Sequence, residues 1–209
     1  MDGEAGVAKT VRATLARLGI AETALAVSRT VHCRARTADV VGSLPNVAFS
    51  TSDLVTLREI GRGGMGVVHL AEQRSLGREV AVKTSTSTDT LVVSALVREA
   101  RIMGALEHPS LVPVHSLGVD ANGGPMLVMK RIDGTTWREL LDAPEHAAWA
   151  ALLAGHGDKL RAQVDILIHV SRALAFAHDR GIVHRDLKPE NVMIGAFGEV
   201  YVLDWGAPG

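Results

Sequence analysis

His184-Arg185-Asp186-Leu187-Lys188-Pro189-Glu190-Asn191 is followed, thirteen residues after the asparagine, by Asp204-Trp205-Gly206. Between them, Val192-Met193-Ile194 and Val200-Tyr201-Val202 read as short strands, so the polar residues sit on loops that strands hold in place. Asp186 suits accepting or orienting the proton of a hydroxyl. Lys188 puts a positive charge two residues on. Asn191 offers a neutral amide oxygen and Asp204 a carboxylate, both hard ligands. Such oxygens suit Mg²⁺, which keeps much of its water and shares the phosphates of a nucleotide. His184 and Arg185 read as supports of the loop. Eight residues in this order, after Ala177-His178-Asp179-Arg180-Gly181-Ile182-Val183, are not a chance match.

Toward the N-terminus, Ile60-Gly61-Arg62-Gly63-Gly64-Met65-Gly66-Val67-Val68 contains G-x-G-x-x-G-x-V. Glycines let the backbone approach phosphates closely. The pattern alone is weak, because a dinucleotide-binding turn or a flexible hairpin contains it too. A dinucleotide fold sets the glycines between a strand and a helix. Here Val67-Val68-His69-Leu70-Ala71 continues as a strand, which suits a lid over a nucleotide. Val80-Ala81-Val82-Lys83 ends fifteen residues after Val68. A lysine closing an apolar strand is commonly a solvated strand end; beside this glycine loop it reads as a phosphate ligand. Glu99 lies sixteen residues later, on a helix expected over Leu91–Leu106 with Asp89 as its cap. It is the acid expected to hold Lys83, against the plainer reading of a surface glutamate beside a neighbouring arginine.

The remaining chain fits one compact domain from Asp53 to Gly209. Strands are expected at Leu54–Ile60, Gly66–Ala71, Val80–Lys83, Leu111–Leu117 and Met126–Met129. Leu160, Val164, Leu167, Ile168, Ser171, Leu174 and His178 form one face of a second long helix. Thr136–Asp158 reads as a shorter helix and a loop. Residues 1–52 differ: Val7, Val11, Leu15 and Leu18 predict a helix, after which the pattern fades. That segment reads as a small regulatory or docking piece, or as poorly ordered.

The 209 residues are 47% apolar but only 3% aromatic, so the core must be built from Ala, Val, Leu and Ile. A net charge of −1 gives no support for a nucleic-acid partner or an electrostatic membrane partner. No apolar run approaches the ~20 residues of a membrane helix. Cys33 is the only cysteine, and no signal-peptide pattern opens the chain. The expectation is a cytoplasmic protein.

Residues 54–206 resemble a bacterial serine/threonine protein kinase of the eukaryotic-like type. The resemblance rests on Gly61–Gly66, Arg98-Glu99-Ala100, His108-Pro109 and His184–Asn191. It implies an α+β fold: a complete β-rich N-lobe with its helix, and the first part of a helical C-lobe. It also implies phosphoryl transfer from ATP to a Ser or Thr hydroxyl of a protein, with Mg²⁺ or Mn²⁺ as cofactor. Asp186, Lys188, Lys83 and Glu99 would then be the catalytic residues, and Asn191 and Asp204 the metal ligands. The nucleotide would lie against Ile60, Gly61, Arg62, Gly63, Gly64, Met65, Gly66, Val68, Ala81 and Lys83. Met129 would be the gatekeeper, Lys130–Ile132 the hinge, Asp133 a ribose contact and Met193 the adenine floor.

Two departures stand out. Trp205 occupies a place where the family usually has Phe, so its larger ring is either tolerated or biases an inactive position. The family pattern also continues past Gly209, through an activation segment and further helices. The chain is therefore expected to be a truncated kinase of weak or no activity, with an exposed apolar underside that a partner would cover. A nucleotide-binding pseudokinase or scaffold, and a remnant that does not fold alone, are the competing readings.

Overall fold

The computed structural model describes residues 53–63, 66–120 and 123–205. The helix expected at Val7–Leu18, and with it the reading of residues 1–52, lies outside the described residues, as do Gly64, Met65 and Gly206.

Strands β1 (Leu54–Gly63), β2 (Gly66–Gln73), β3 (Arg78–Thr84), β4 (Val114–Val119) and β5 (Pro125–Lys130) form one antiparallel sheet in the order β1-β2-β3-β5-β4. Cα partners Val68↔Lys83, Lys83↔Leu127 and Ala81↔Met129 put these side chains on one face, since directly opposed residues point the same way. Val80, Val82, Met126 and Val128 point the other way and pack with Ala71 and Leu54 as a small separate core. Helix α1 (Thr90–Ala105) lies on the first face and buries Leu96, Ala100 and Met103 against Leu127. Asp89 caps it by accepting a hydrogen bond from the Leu91 amide at 2.8 Å.

β4 starts three residues later than the apolar run of Leu111–Leu117 suggests. Pro113 interrupts that run: it has no N–H to give to a ladder. Its carbonyl instead accepts from the Lys130 amide at 2.9 Å, while Leu111 forms an isolated parallel bridge with Val202.

Past β5 the chain becomes helical. A short strand β6 (Gly134–Thr136) was not foreseen. It is followed by α2 (Trp137–Asp142), α3 (Ala148–His156) and α4 (Lys159–Asp179). Two helices thus replace the one expected over Thr136–Asp158. Pro144 forces the break, because the residue before a proline is driven out of the helical region; Ala143 is at φ −121°, ψ 88°. Thr136 and Glu139 complete a reciprocal capping box at the start of α2. A 3₁₀ turn (Pro189–Asn191) then leads into β7 (Val192–Gly195) and β8 (Val200–Val202), which pair with β6 in a three-stranded sheet.

α4 turns its faces the opposite way from a simple reading of its sequence. The stripe containing Leu160, Val164, Leu167 and Ile168 is exposed, at 73%, 47%, 47% and 41%. The buried face is Ala162, Ile166, Val170, Ala173 and Ala177. Three alanines let the helix axis come close to α3 and β8, and β8 supplies the bulk through Val200, Tyr201 and Val202.

Candidate active site

The first half of the site comes from the sheet. Lys83 sits near the end of β3, 7% exposed, and donates to both Glu99 carboxylate oxygens at 2.7 and 2.9 Å. The third proton of its ammonium points to Asp204 Oδ1 at 3.0 Å. Glu99 is 2% exposed and comes from the middle of α1, so the docking of that helix against the sheet makes the pair. Burial works against the Lys83 charge, but the carboxylates of Glu99 and Asp204 outweigh it and hold its pKa above the ordinary lysine value. Burial lifts the Glu99 carboxyl, and the facing ammonium opposes that rise.

The second half comes from the loop between α4 and β7. His184 is buried; its Nε2 lies 2.7 Å from the Leu203 carbonyl, and its Nδ1 accepts from the Asp186 amide at 3.3 Å. That pattern fits a neutral ring with the proton on Nε2. Arg185, at φ 72°, turns the chain so that Asp186 faces outward. Lys188 Nζ meets Asp186 Oδ2 at 2.7 Å, and this hydrogen bond, with one from Asn191, holds the Asp186 carboxyl below the usual range. Asn191 Nδ2 donates to the Asp186 carbonyl at 2.8 Å and to its Oδ2 at 3.1 Å. With the amide nitrogen so engaged, the Asn191 carbonyl oxygen is left as the acceptor.

Nucleotide contacts implied by the resemblance distribute as follows. Val68, Ala81 and Met129 share the face of the sheet that carries Lys83. Ile60, Arg62 and Gly63 are exposed on the β1–β2 hairpin, with Gly61 half-buried beside Val68. Gly66 is obligatory where it stands, since a Cβ would lie 2.3 Å from the Thr84 carbonyl oxygen. Ile132 is half-buried against the main core. The Asp133 side chain is 78% exposed and meets Arg131 at 3.3 Å. Met193, on β7, pairs with Tyr201.

Three contacts escaped the sequence reading. Lys130 Nζ donates to the Tyr201 hydroxyl at 2.6 Å and stands 4.9 Å from its ring centroid, tying β5 to β8. Arg138 on α2 pairs with Glu190 at 3.0 Å. Trp205 donates from its indole nitrogen to the Val202 carbonyl at 3.2 Å. The only signal was the lone tyrosine inside an apolar strand, whose buried hydroxyl requires a partner.

A metal bound here would be held by Asn191 and Asp204. Two oxygens are too few for an all-protein cage, and among the described residues no three His, Cys, Asp or Glu gather as one. A pair of oxygen donors next to a buried lysine fits Mg²⁺, which would complete its shell with phosphate and water.

A β-rich lobe with one docked helix, followed by a helical lobe whose loop carries Asp186 and Asn191, makes an α+β fold of two lobes. The family model described as protein kinase domain matches residues 54–208, and the chain belongs to that family. Its relatives include the serine/threonine-protein kinase PknD of Chlamydia muridarum, 35% identical over 154 residues, which are 72% of this chain and 16% of that protein. PknD of Protochlamydia amoebophila is 34% identical over 155 residues, again 72% of this chain and 16% of that protein. A probable serine/threonine-protein kinase of Streptomyces coelicolor, SCO3848, is 38% identical over 155 residues, 70% of this chain and 21% of that protein. The chain thus spans about a sixth to a fifth of the length of these relatives.

Proposed function

We propose that the chain binds Mg-ATP against the sheet face carrying Val68, Ala81, Lys83 and Met129, and directs the γ-phosphoryl group to a serine or threonine hydroxyl of a protein held at Asp186. The observation that carries this reading is the contact of Lys83 with both Glu99 and Asp204. A buried ion pair adds little to stability, because desolvation cancels most of the attraction. A lysine buried between two carboxylates beneath a glycine hairpin is therefore better explained by a ligand than by the core. Glu99 orients the ammonium, which can then bridge to α- and β-phosphate oxygens.

The hydrogen bond from Lys188, with one from Asn191, holds the Asp186 carboxyl below the usual range, which suits orienting the attacking hydroxyl. Lys188, hydrogen-bonded to it, brings a positive charge toward the transferring group. Bound with the nucleotide, Mg²⁺ would neutralise phosphate charge between Asp204 and Asn191. Catalysis of this kind is mostly positioning and charge stabilisation, which preformed contacts supply without reorganisation.

The test is a thermal melt of residues 1–209 with and without Mg-ATP, followed by transfer of labelled phosphate to a Ser/Thr peptide. Ligand at a hundred times its Kd stabilises the folded form by about 2.7 kcal/mol, which raises the midpoint. Lys83→Met and Asp186→Asn should each lower transfer on the order of 10²–10³-fold. A midpoint indifferent to millimolar Mg-ATP, or wild-type transfer by either variant, would overturn the proposal. A shifted midpoint with no transfer by the wild type would leave a nucleotide-binding module.

A further inference from the structure

Trp205 does more than fill the place where a smaller ring is usual. The side chain is 1% exposed, and its ring meets the His184 imidazole at 4.7 Å between centroids and 60° between planes. Its indole nitrogen donates to the carbonyl of Val202, three residues back. The two residues enclosed by that bond are Leu203 and Asp204. Asp204 is at φ 54°, one of only two non-glycine residues with positive φ among those described. A side chain in that region is strained and persists only where its surroundings impose it. On the near side the turn is fixed twice at Leu203: its N–H donates to the Asn191 carbonyl at 2.8 Å, and its carbonyl meets His184 Nε2 at 2.7 Å. On the far side the indole bond closes it.

We infer that Trp205 is a positioning residue: its indole N–H, tied to Val202, holds Asp204 in the left-handed turn that aims its carboxylate at Lys83. A phenylalanine here would keep the ring contact with His184 but has no proton to donate, and the far end of the turn would be held by packing alone. The larger ring therefore does not displace Asp204; it secures it. Use of Asp204 as a metal ligand rests on the function proposed above, whereas the tether rests on the fold alone.

Hydrogen exchange of residues 1–209 without ligand reads the tether directly. The variants are Trp205→Phe and Trp205→benzothienylalanine, the second an isostere in which sulfur replaces the N–H. Loss of one net hydrogen bond should speed exchange across Leu203–Trp205 about three- to tenfold, with rates in β2 and β3 unchanged. Unchanged exchange across that segment in the isostere would overturn the inference, and the isostere keeps the test open if Trp205→Phe fails to fold. The second readout is ATP affinity with and without Mg²⁺. The gain on adding Mg²⁺ should shrink by a similar factor in both variants while metal-free affinity holds. A role in packing alone would move both affinities together or neither, and would also sink the inference. Should the wild type bind no ATP, the proposed function fails, and the exchange rates still decide the role of Trp205.

Discussion

His184 joins the loop of Asp186 to the strand end that carries Asp204, and it does so as a neutral ring. Burial lowers its pKa below the ordinary 6.5, with the Leu203 carbonyl opposing in part. The folded protein therefore binds fewer protons at this site than the unfolded chain does. The stability it contributes is complete above about pH 6.5 and is lost as pH falls from there toward the lowered value. His184→Gln should cost about 1–3 kcal/mol at pH 7.5 and flatten the decline of Tm between pH 7.5 and 5.5. His108 and His115 are also lowered by burial, and they remain in both proteins, so the difference in slope isolates His184. Identical slopes would show that its charge state is not linked to folding. From sequence, His184 was legible as a support of the loop. Its partner, the Leu203 carbonyl nineteen residues on, was not, because hydrogen bonds to backbone leave no mark on residue identity.

The β1–β2 hairpin and β3 act as one unit, because Gly66 and Thr84 leave no room between them. Gly66→Ala would push the two strands apart at the end that carries Lys83. Overpacking of this kind costs about 1–3 kcal/mol, and the shift should also weaken Mg-ATP binding. A variant with wild-type Tm and wild-type affinity would show that the hairpin yields freely. Alternation and β-branched residues made β2, β3, β5, β7 and β8 readable within a residue or two. Local chemistry that competes with hydrophobic pattern explains the misses: Pro113 delays β4, Pro144 splits the helical stretch, and β6 is a three-residue strand of one glycine and two threonines with no apolar run. α4 shows the limit of periodicity. It has two stripes able to be buried, and the one with the larger side chains is the one left outside.

Across the molecule the two lobes share the main core, which runs from Leu96 and Leu127 through Leu140 to Val202 and Trp205, while the outer face of the sheet has its own small cluster. On the exposed stripe of α4, Val164, Leu167, Ile168, Ser171, Arg172 and Ala175 line a shallow open depression. Because these side chains carry little of the core, Val164→Glu with Leu167→Lys should leave ΔG of unfolding within about 0.5 kcal/mol of wild type. Concentration-dependent light scattering should fall, since contiguous exposed apolar surface promotes association. A large drop in Tm would mean that the stripe is packed against something in solution. Among the described residues no helix is long and apolar enough to cross a membrane.

Residue order determined the family, the strand–glycine hairpin–strand and the identity of the polar side chains, because phosphate approach, proton handling and hard-ligand chemistry each admit few residue types at fixed spacing. Tertiary structure decided which of those side chains meet. Lys83 and Asp204 are 121 residues apart and touch only because α1, β5 and β8 pack on one core and β3 is paired to β5. The outward turn of α4, the Lys130–Tyr201 tie and the indole bond of Trp205 have the same origin: each depends on how closely two backbones approach, a distance set by the packing of many side chains at once.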